Sequence, residues 1–404
     1  MSVAAPLKLV RRRPGRIRPD LETLRSALDA LGNPQRSFRS ILVVGTNGKG
    51  STAAMAEAVI RAHGVRTGLY TSPHLVRVEE RVRTGGVAVA GSVLDRHLDR
   101  LDHFPDLTYF ETLTAAAFAV FAEVGVDVAV LEAGMGGSWD ATRLAASAVA
   151  GLTNIGTDHG AWLGTTREAI ARDKGRALAA AAGPVLGAGV DAEIRAAVAA
   201  PSAVAAASVV QCESLADGHV RLGWHHGETV VRLPLHGDHQ IENTQLAVAL
   251  CLQAVVAGWM PELVPERVQR ALEAVRWPGR LSVHRVAGRD VLLDCAHNLE
   301  GARALAAHLA GLDQRFHLLF SCLDDKPVDA VAGVLQPVVG EVAVCELDDE
   351  RAMPLDRLLA AFPGARPAPD PAAALALLPD PVLAAGSVRL VGALLAETDG
   401  GEPW

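Results

Sequence analysis

The sequence predicts an α/β protein of two domains, and three observations carry that prediction. Short apolar runs alternate with helix-forming segments almost from end to end, the signature of largely parallel sheets covered by helices. The first of these runs leads through a Gly-rich turn directly into a helical pattern. The alternation breaks once, at "WPGRLSVHRVAGRD" (277–290), and a fresh strand–helix series then runs to the C-terminus. A chain of 404 residues also exceeds one typical domain, so we set the boundary inside that break, giving 1–284 and 285–404.

Ile41–Val44 is the first buried strand. After its turn, Met55, Ala58, Val59 and Ala62 recur at i, i+3, i+4 and i+7, so 51–63 reads as a helix closed by Gly64. Val126–Leu131 and Val149–Ile155 continue the strand series. The alanine-rich stretch 177–208 reads as helix, broken at Gly183-Pro184 and at Pro201. From 209 to 235 the pattern turns to β, with "HVRLGW" and "ETVVRLPL" as paired strands. Beyond the break, Val291–Leu293, Leu318–Phe320, Val342–Val344 and Val382–Ala385 read as the strands of a smaller, Rossmann-like domain.

Half of the residues are apolar and 21% are charged, which suits a globular protein with sizeable cores. A net charge of −8 argues against broad binding to nucleic acid or an anionic membrane, while leaving room for a local basic cleft. No run approaches the ~18 apolar residues of a membrane span, and the basic N-terminus lacks the apolar core of a signal peptide. The cysteines (Cys212, Cys251, Cys295, Cys322 and Cys345) are scattered and show no zinc spacing. Free thiols in a reducing cytoplasm are the expectation, in a monomer.

The chemistry begins at "ILVVGTNGKGST" (41–52). A strand, a Gly-rich turn and a helix make a phosphate-binding loop credible, because backbone N–H groups at a helix start face the anion. The spacing is off-register from the usual G-x-x-x-x-G-K-[ST]: Val43 stands where the first glycine belongs, and Gly50 separates Lys49 from Ser51. "VDVAVLEAG" ends a strand in Glu132, where an acid serving a phosphate-bound magnesium sits. "TNIGTDHGAWLG" places Asp158-His159 after another strand. Alone, each also reads as an ordinary turn or strand-end residue.

"GTNGKGST", "YTSPHLVRVEERVR", "LEAGMGGSWDAT", "TDHGAWLG", "WPGRL" and "LDCAHN" occur in this order. Together they resemble the Mur ligase superfamily and, within it, the dihydrofolate synthase/folylpolyglutamate synthase family, over about 30–395. In that family the shifted loop is the normal one. The resemblance implies a P-loop ATPase-like first domain, ATP held by Thr46, Asn47, Gly48, Lys49, Gly50, Ser51, Asn243, Arg280 and Asp294, and Mg2+ held by Ser72, Glu132 and His159. Lys174, in "AIARDKGRAL", falls where the family carries a carbamylated lysine. His297 is the candidate for orienting glutamate. Lys49, Glu132, His159, Lys174, Arg280 and His297 form the expected catalytic set, in a site where the two domains meet.

The implied reaction joins L-glutamate to a carboxylate through an acyl phosphate, at the expense of ATP. "LTYFE" (Thr108, Tyr109, Phe110, Glu111), Asp140-Ala141 and Arg77 resemble a pterin-side pocket, which points to dihydropteroate or a reduced folate as acceptor. Another Mur-type amino-acid ligase, or a nucleotide-regulated folate-binding protein without catalysis, are the alternatives. The chain departs from the family pattern at Arg143, where Asn is usual, at Gly175-Arg176-Ala177, in the segment Arg18-Pro19-Asp20-Leu21, and at Pro327 and Arg389. None of these belongs to the ATP or metal set.

Overall fold

A computed structural model describes residues 18–158, 160–215 and 218–398. The described chain divides into two compact units, one of 18–234 with 240–275 and the other of 235–239 with 276–398.

The larger unit is built on an eight-stranded sheet. Its strands are β1 (Arg39–Val44), β2 (Thr67–Tyr70), β3 (Val82–Thr84), β4 (Val87–Ala88), β5 (Val128–Glu132), β6 (Val149–Asn154), β7 (Val185–Gly189) and β8 (Val204–Ala205). They run in the order β4-β3-β2-β5-β1-β6-β7-β8. From β2 to β8 all neighbours are parallel, and β3 and β4 add an antiparallel edge. β1 is apolar and buried after its first residue because helices cover both faces of a parallel sheet. Pairing sets Val43 beside Glu132 on one side and Val44 beside Leu152 on the other. The carboxyl ends of β1, β5 and β6 therefore lie next to each other, where open α/β sheets bind ligands.

The helix after β1 spans Lys49–Ala62, starting two residues earlier than its apolar period suggests, because Gly48 caps it in the left-handed region. Gly64 closes it at φ +84, with its N–H on Arg61 O. The small β region is a three-stranded antiparallel sheet of β9 (Val210–Ser214), β10 (His219–Trp224) and β11 (Gly227–Arg232), and β10 pairs with β11 as their alternation predicts. The alanine-rich stretch differs from the helical expectation. Pro184 immediately precedes strand β7, whose Val185 and Leu186 bury against β6, and only Ala192–Val198 forms an α-helix. Pairing with a sheet edge outweighs the helical preference of alanine there.

The smaller unit carries β12 (Ser282–Val286), β13 (Arg289–Leu293), β14 (His317–Phe320), β15 (Val342–Cys345), β16 (Arg366–Ala368) and β17 (Val382–Ala385), in the order β12-β13-β17-β14-β15-β16. Only the β12–β13 pair is antiparallel. Leu318, Phe320, Phe362 and Leu383 centre its core.

Candidate active site

The loop between β1 and its helix is tied down on its β6 side. Thr46 N–H donates to Asn154 O at 3.1 Å, and Asn47 N–H to Asn154 Oδ1 at 2.9 Å. The Thr153 hydroxyl donates back to Asn47 O at 2.6 Å. Gly45 and Gly48 are required on steric grounds. A Cβ on Gly45 would stand 1.8 Å from Thr153 Oγ1, and one on Gly48, at φ +81, would stand 2.2 Å from Asn243 Oδ1. Asn243 thus packs against the phosphate loop itself, its amide also donating to Gln240 at 3.0 Å. Lys49 Nζ donates to Thr46 O at 3.0 Å and is held over the loop.

Gly50 is buried behind the lysine. The Ser51 and Thr52 hydroxyls are also buried, and neither has a hydrogen-bond partner. An orphaned hydroxyl costs about 1–3 kcal/mol, so these two fit a loop that closes around oxygen-rich ligands.

Glu132 ends β5 and is buried, and its Oε2 accepts the Ser72 N–H at 3.0 Å. Ser72 and Glu132 are thereby adjacent, and His159 lies outside the described residues. Among the described residues no group of three or more His, Cys, Asp or Glu side chains gathers to hold a metal. A carboxylate with nearby hydroxyls is an oxygen donor set, which suits magnesium completed by phosphate oxygens.

Lys174 is 3% exposed and donates through Nζ to Gly45 O at 2.7 Å. Burial and the neighbouring charge of Lys49 lower its pKa to about 7, against the opposing pull of Asp158, Asp173 and Asp140. Asp173, beside it, accepts from Gly137 N–H at 2.8 Å and from the Ser138 hydroxyl. The backbone of 173–174 so closely underlies Gly137 that a Cβ there would be 2.5 Å from Asp173 O.

The residues expected at the acceptor end divide between surface and structure. Thr108 and Glu111 form a reciprocal cap on the helix Tyr109–Val124. Phe110 faces Tyr70 at 5.9 Å and lies under Gly134, while the Arg81 guanidinium sits over the Tyr109 ring at 5.4 Å. Asp140 is buried, which raises its pKa, and its oxygens are taken by Met135 N–H, Thr142 N–H and the Thr142 hydroxyl. Ala141 is buried behind it and Arg77 is exposed. A cavity of about 470 Å³ adjoins, lined by Asp20, Leu21, Trp139, Arg143 and Arg176 among others.

In the smaller unit, Asp294 follows β13 directly, and its carboxylate accepts Leu281 N–H at 3.0 Å and Ala296 N–H at 2.8 Å. Burial raises its pKa against the pull of Arg280 and His239. Arg280 donates to Gly279 O at 2.8 Å. His297 Nδ1 bonds Cys295 O at 2.8 Å, which fixes the ring just before the helix Leu299–Ala310. The two remote departures lie on the surface of this unit, where Pro327 and Arg389 are both exposed and Arg389 pairs with Asp349 at 3.3 Å.

Sequence reasoning missed the supports of the site. Thr153, Asn154, Asp173 and Glu80 contact the loops that carry its residues, and only Asn154 and Asp173 had a signal, by adjoining a strand end and Lys174.

Comparison with known proteins follows the same two parts. Residues 43–251 match the Mur ligase middle domain, and 279–392 match the Mur ligase, glutamate ligase domain. The dihydrofolate synthase/folylpolyglutamate synthase of Mycobacterium tuberculosis is 37% identical over 392 residues, covering 88% of this chain and 80% of that protein. A solved M. tuberculosis folylpolyglutamate synthase, complexed with ADP and AMPPCP, matches with a TM-score of 0.85 at 33% identity over 96% of this chain and 97% of its own. The bifunctional folylpolyglutamate synthase/dihydrofolate synthase of Yersinia pestis, with AMPPNP and a manganese ion, matches with a TM-score of 0.83 at 26% identity, over 96% and 95%.

Proposed function

The chain belongs to the dihydrofolate synthase/folylpolyglutamate synthase family of the Mur ligases, and from that premise we propose which of its residues carry out the reaction. It is an ATP-dependent, ADP-forming ligase that joins L-glutamate to the carboxylate of dihydropteroate, of tetrahydrofolate glutamates, or of both. One observation carries the residue assignment: the phosphate loop, Glu132 and the buried Lys174 converge on the carboxyl end of β1.

A carboxylate is a poor electrophile. One of its oxygens attacks the γ-phosphorus of ATP and expels ADP, giving an acyl phosphate. The glutamate amine then adds to the carbonyl carbon, and the tetrahedral intermediate collapses with loss of phosphate and a proton. Lys49 stabilises charge on the transferring phosphoryl group as a point cation. The N–H groups of 48–51 and the Ser51 hydroxyl face the phosphates. Arg280 offers them a bidentate fork, Asn243 closes the loop, and Asp294 accepts ribose hydroxyls. Ser72 and Glu132, with His159, would hold the divalent cation. When bound, that ion neutralises phosphate oxygens and orients them.

Lys174 as a carbamate places an anion beside Gly45, and its lowered pKa supplies the neutral amine that carbon dioxide requires. At the acceptor end, Arg77 takes the acidic portion of the substrate and Phe110 stacks on the ring. Asp140, Thr108 and Glu111 shape the pocket through the backbone. His297 orients the glutamate amine through its ring. No helix among the described residues is long and apolar enough to cross a membrane. All five cysteines are unpaired, which supports a cytoplasmic location, and a monomer suffices for this chemistry.

The test is phosphate release with ATP, magnesium and L-glutamate, offered dihydropteroate or a tetrahydrofolate as acceptor. Turnover with at least one acceptor is expected, and Glu132→Ala should lower it by at least a thousandfold with an unchanged circular dichroism spectrum. No turnover with either acceptor overturns the acceptor reading, and near-normal turnover by Glu132→Ala overturns the metal assignment.

A further inference from the structure

β1 begins at Arg39 and carries the phosphate loop at its other end. Six residues of strand place its two ends about 17–20 Å apart. At the starting end lies a cavity of about 590 Å³ that the ligase reaction does not use. Four arginines line it, Arg25, Arg36, Arg39 and Arg143, against a single carboxylate, Asp29; the Arg25 guanidinium lies 3.7 Å from Glu22 and that of Arg143 donates to Ser138 O. They come from four different elements: a helix (Glu22–Ala30), a 3-10 turn (Pro34–Arg36), β1 and a second 3-10 turn (Ala141–Ala145). Asp29 is already engaged by Asn33 at 2.9 Å.

The remaining wall is apolar, with Leu28, Phe38, Leu144 and Trp259. Gln35 shares that wall. It is 7% exposed, its Nε2 donates to Asn33 Oδ1 at 3.0 Å, and its Oε1 is buried without a hydrogen bond. The cavity therefore offers separated cations and an apolar side.

We propose that this cavity is a second ligand site, for an oligocarboxylate. Arginines spread over four elements suit several separate single charges better than one concentrated phosphate. The volume is that of a site for a ligand of drug size. Arg25, Arg143 and Leu144 also line the smaller cavity at the acceptor end, so an occupant of one adjoins an occupant of the other. The choice of a glutamyl chain as probe rests on the ligase reading; the demand for an oligocarboxylate does not.

The experiment is equilibrium dialysis of the full chain against pteroyl-tri-γ-glutamate without ATP, with the bound region located by backbone hydrogen exchange. Two equivalents per chain are expected, with slowed exchange in 25–40 and 143–148. The double variant R36A/R39A alters exposed side chains; it should retain its turnover, lose one equivalent by at least a tenfold rise in Kd, and lose the slowed exchange. One equivalent in the unaltered chain, or unchanged protection in the variant, overturns the proposal. Inorganic phosphate should leave exchange in 25–40 unchanged; equal protection by phosphate would make the site a general anion sink and overturn the oligocarboxylate assignment. A chain without ligase turnover that keeps this binding overturns the acceptor reading and leaves this one standing.

Discussion

Lys174 shows at the scale of one residue how burial sets chemistry. Its amine holds a proton less tightly in the folded chain than in the unfolded one, with a pKa of about 7. Between about pH 7 and the ordinary lysine value, the unfolded chain binds the extra proton, so this residue makes stability rise with pH across that window. The neutral amine grows through the same lower limit, and only the neutral amine adds carbon dioxide. Turnover should therefore rise several-fold from pH 6 to pH 8 and depend on bicarbonate. Lys174→Ala should be nearly inactive and partly restored by a short carboxylic acid. A rate indifferent to bicarbonate, with no restoration, would remove the carbamate from the mechanism. The residue itself was legible only through the motif around it, since a lysine in "AIARDKGRAL" otherwise reads as solvated. Its burial comes from contact with Gly45, 129 positions away, which no local pattern encodes.

At the scale of elements, strands flanked by Gly and Pro were legible because their apolar runs are short and bounded. Alanine-rich 177–208 was not, because alanine says little about partners and β7 exists only through its pairing with β6. The same limit hid Glu80. Its carboxylate accepts the N–H groups of Leu75, Val76 and Arg77 at 2.8, 2.9 and 2.6 Å, so it shapes the segment that follows Ser72. Glu80→Gln keeps the outline but loses the charge that strengthens those bonds, at a cost of about 2 kcal/mol. Thermal unfolding should fall by roughly 4–8 °C for that loss, and the magnesium concentration for half-maximal rate should rise several-fold. If melting and magnesium dependence both stay unchanged, the segment holds its shape without Glu80.

At the scale of the molecule, the order of motifs along the chain carried more than any one of them. A loop one residue out of register was ambiguous alone, and Glu132, Lys174, Arg280 and Asp294 gave it a reaction. That reaction makes a demand on atoms that binding alone does not. If the acceptor carboxylate attacks the γ-phosphorus, one of its own oxygens becomes the bridge of the acyl phosphate. Attack by the glutamate amine then breaks the carbon–oxygen bond, and that oxygen departs with the phosphate. An acceptor labelled with 18O in both carboxylate oxygens should therefore transfer one label to each phosphate released and keep the other in the new amide carbonyl. Phosphate without label, released in step with amide formation, would mean that water or the enzyme accepts the phosphoryl group. Lys49 and Arg280 would then need a different partner from the one assigned here.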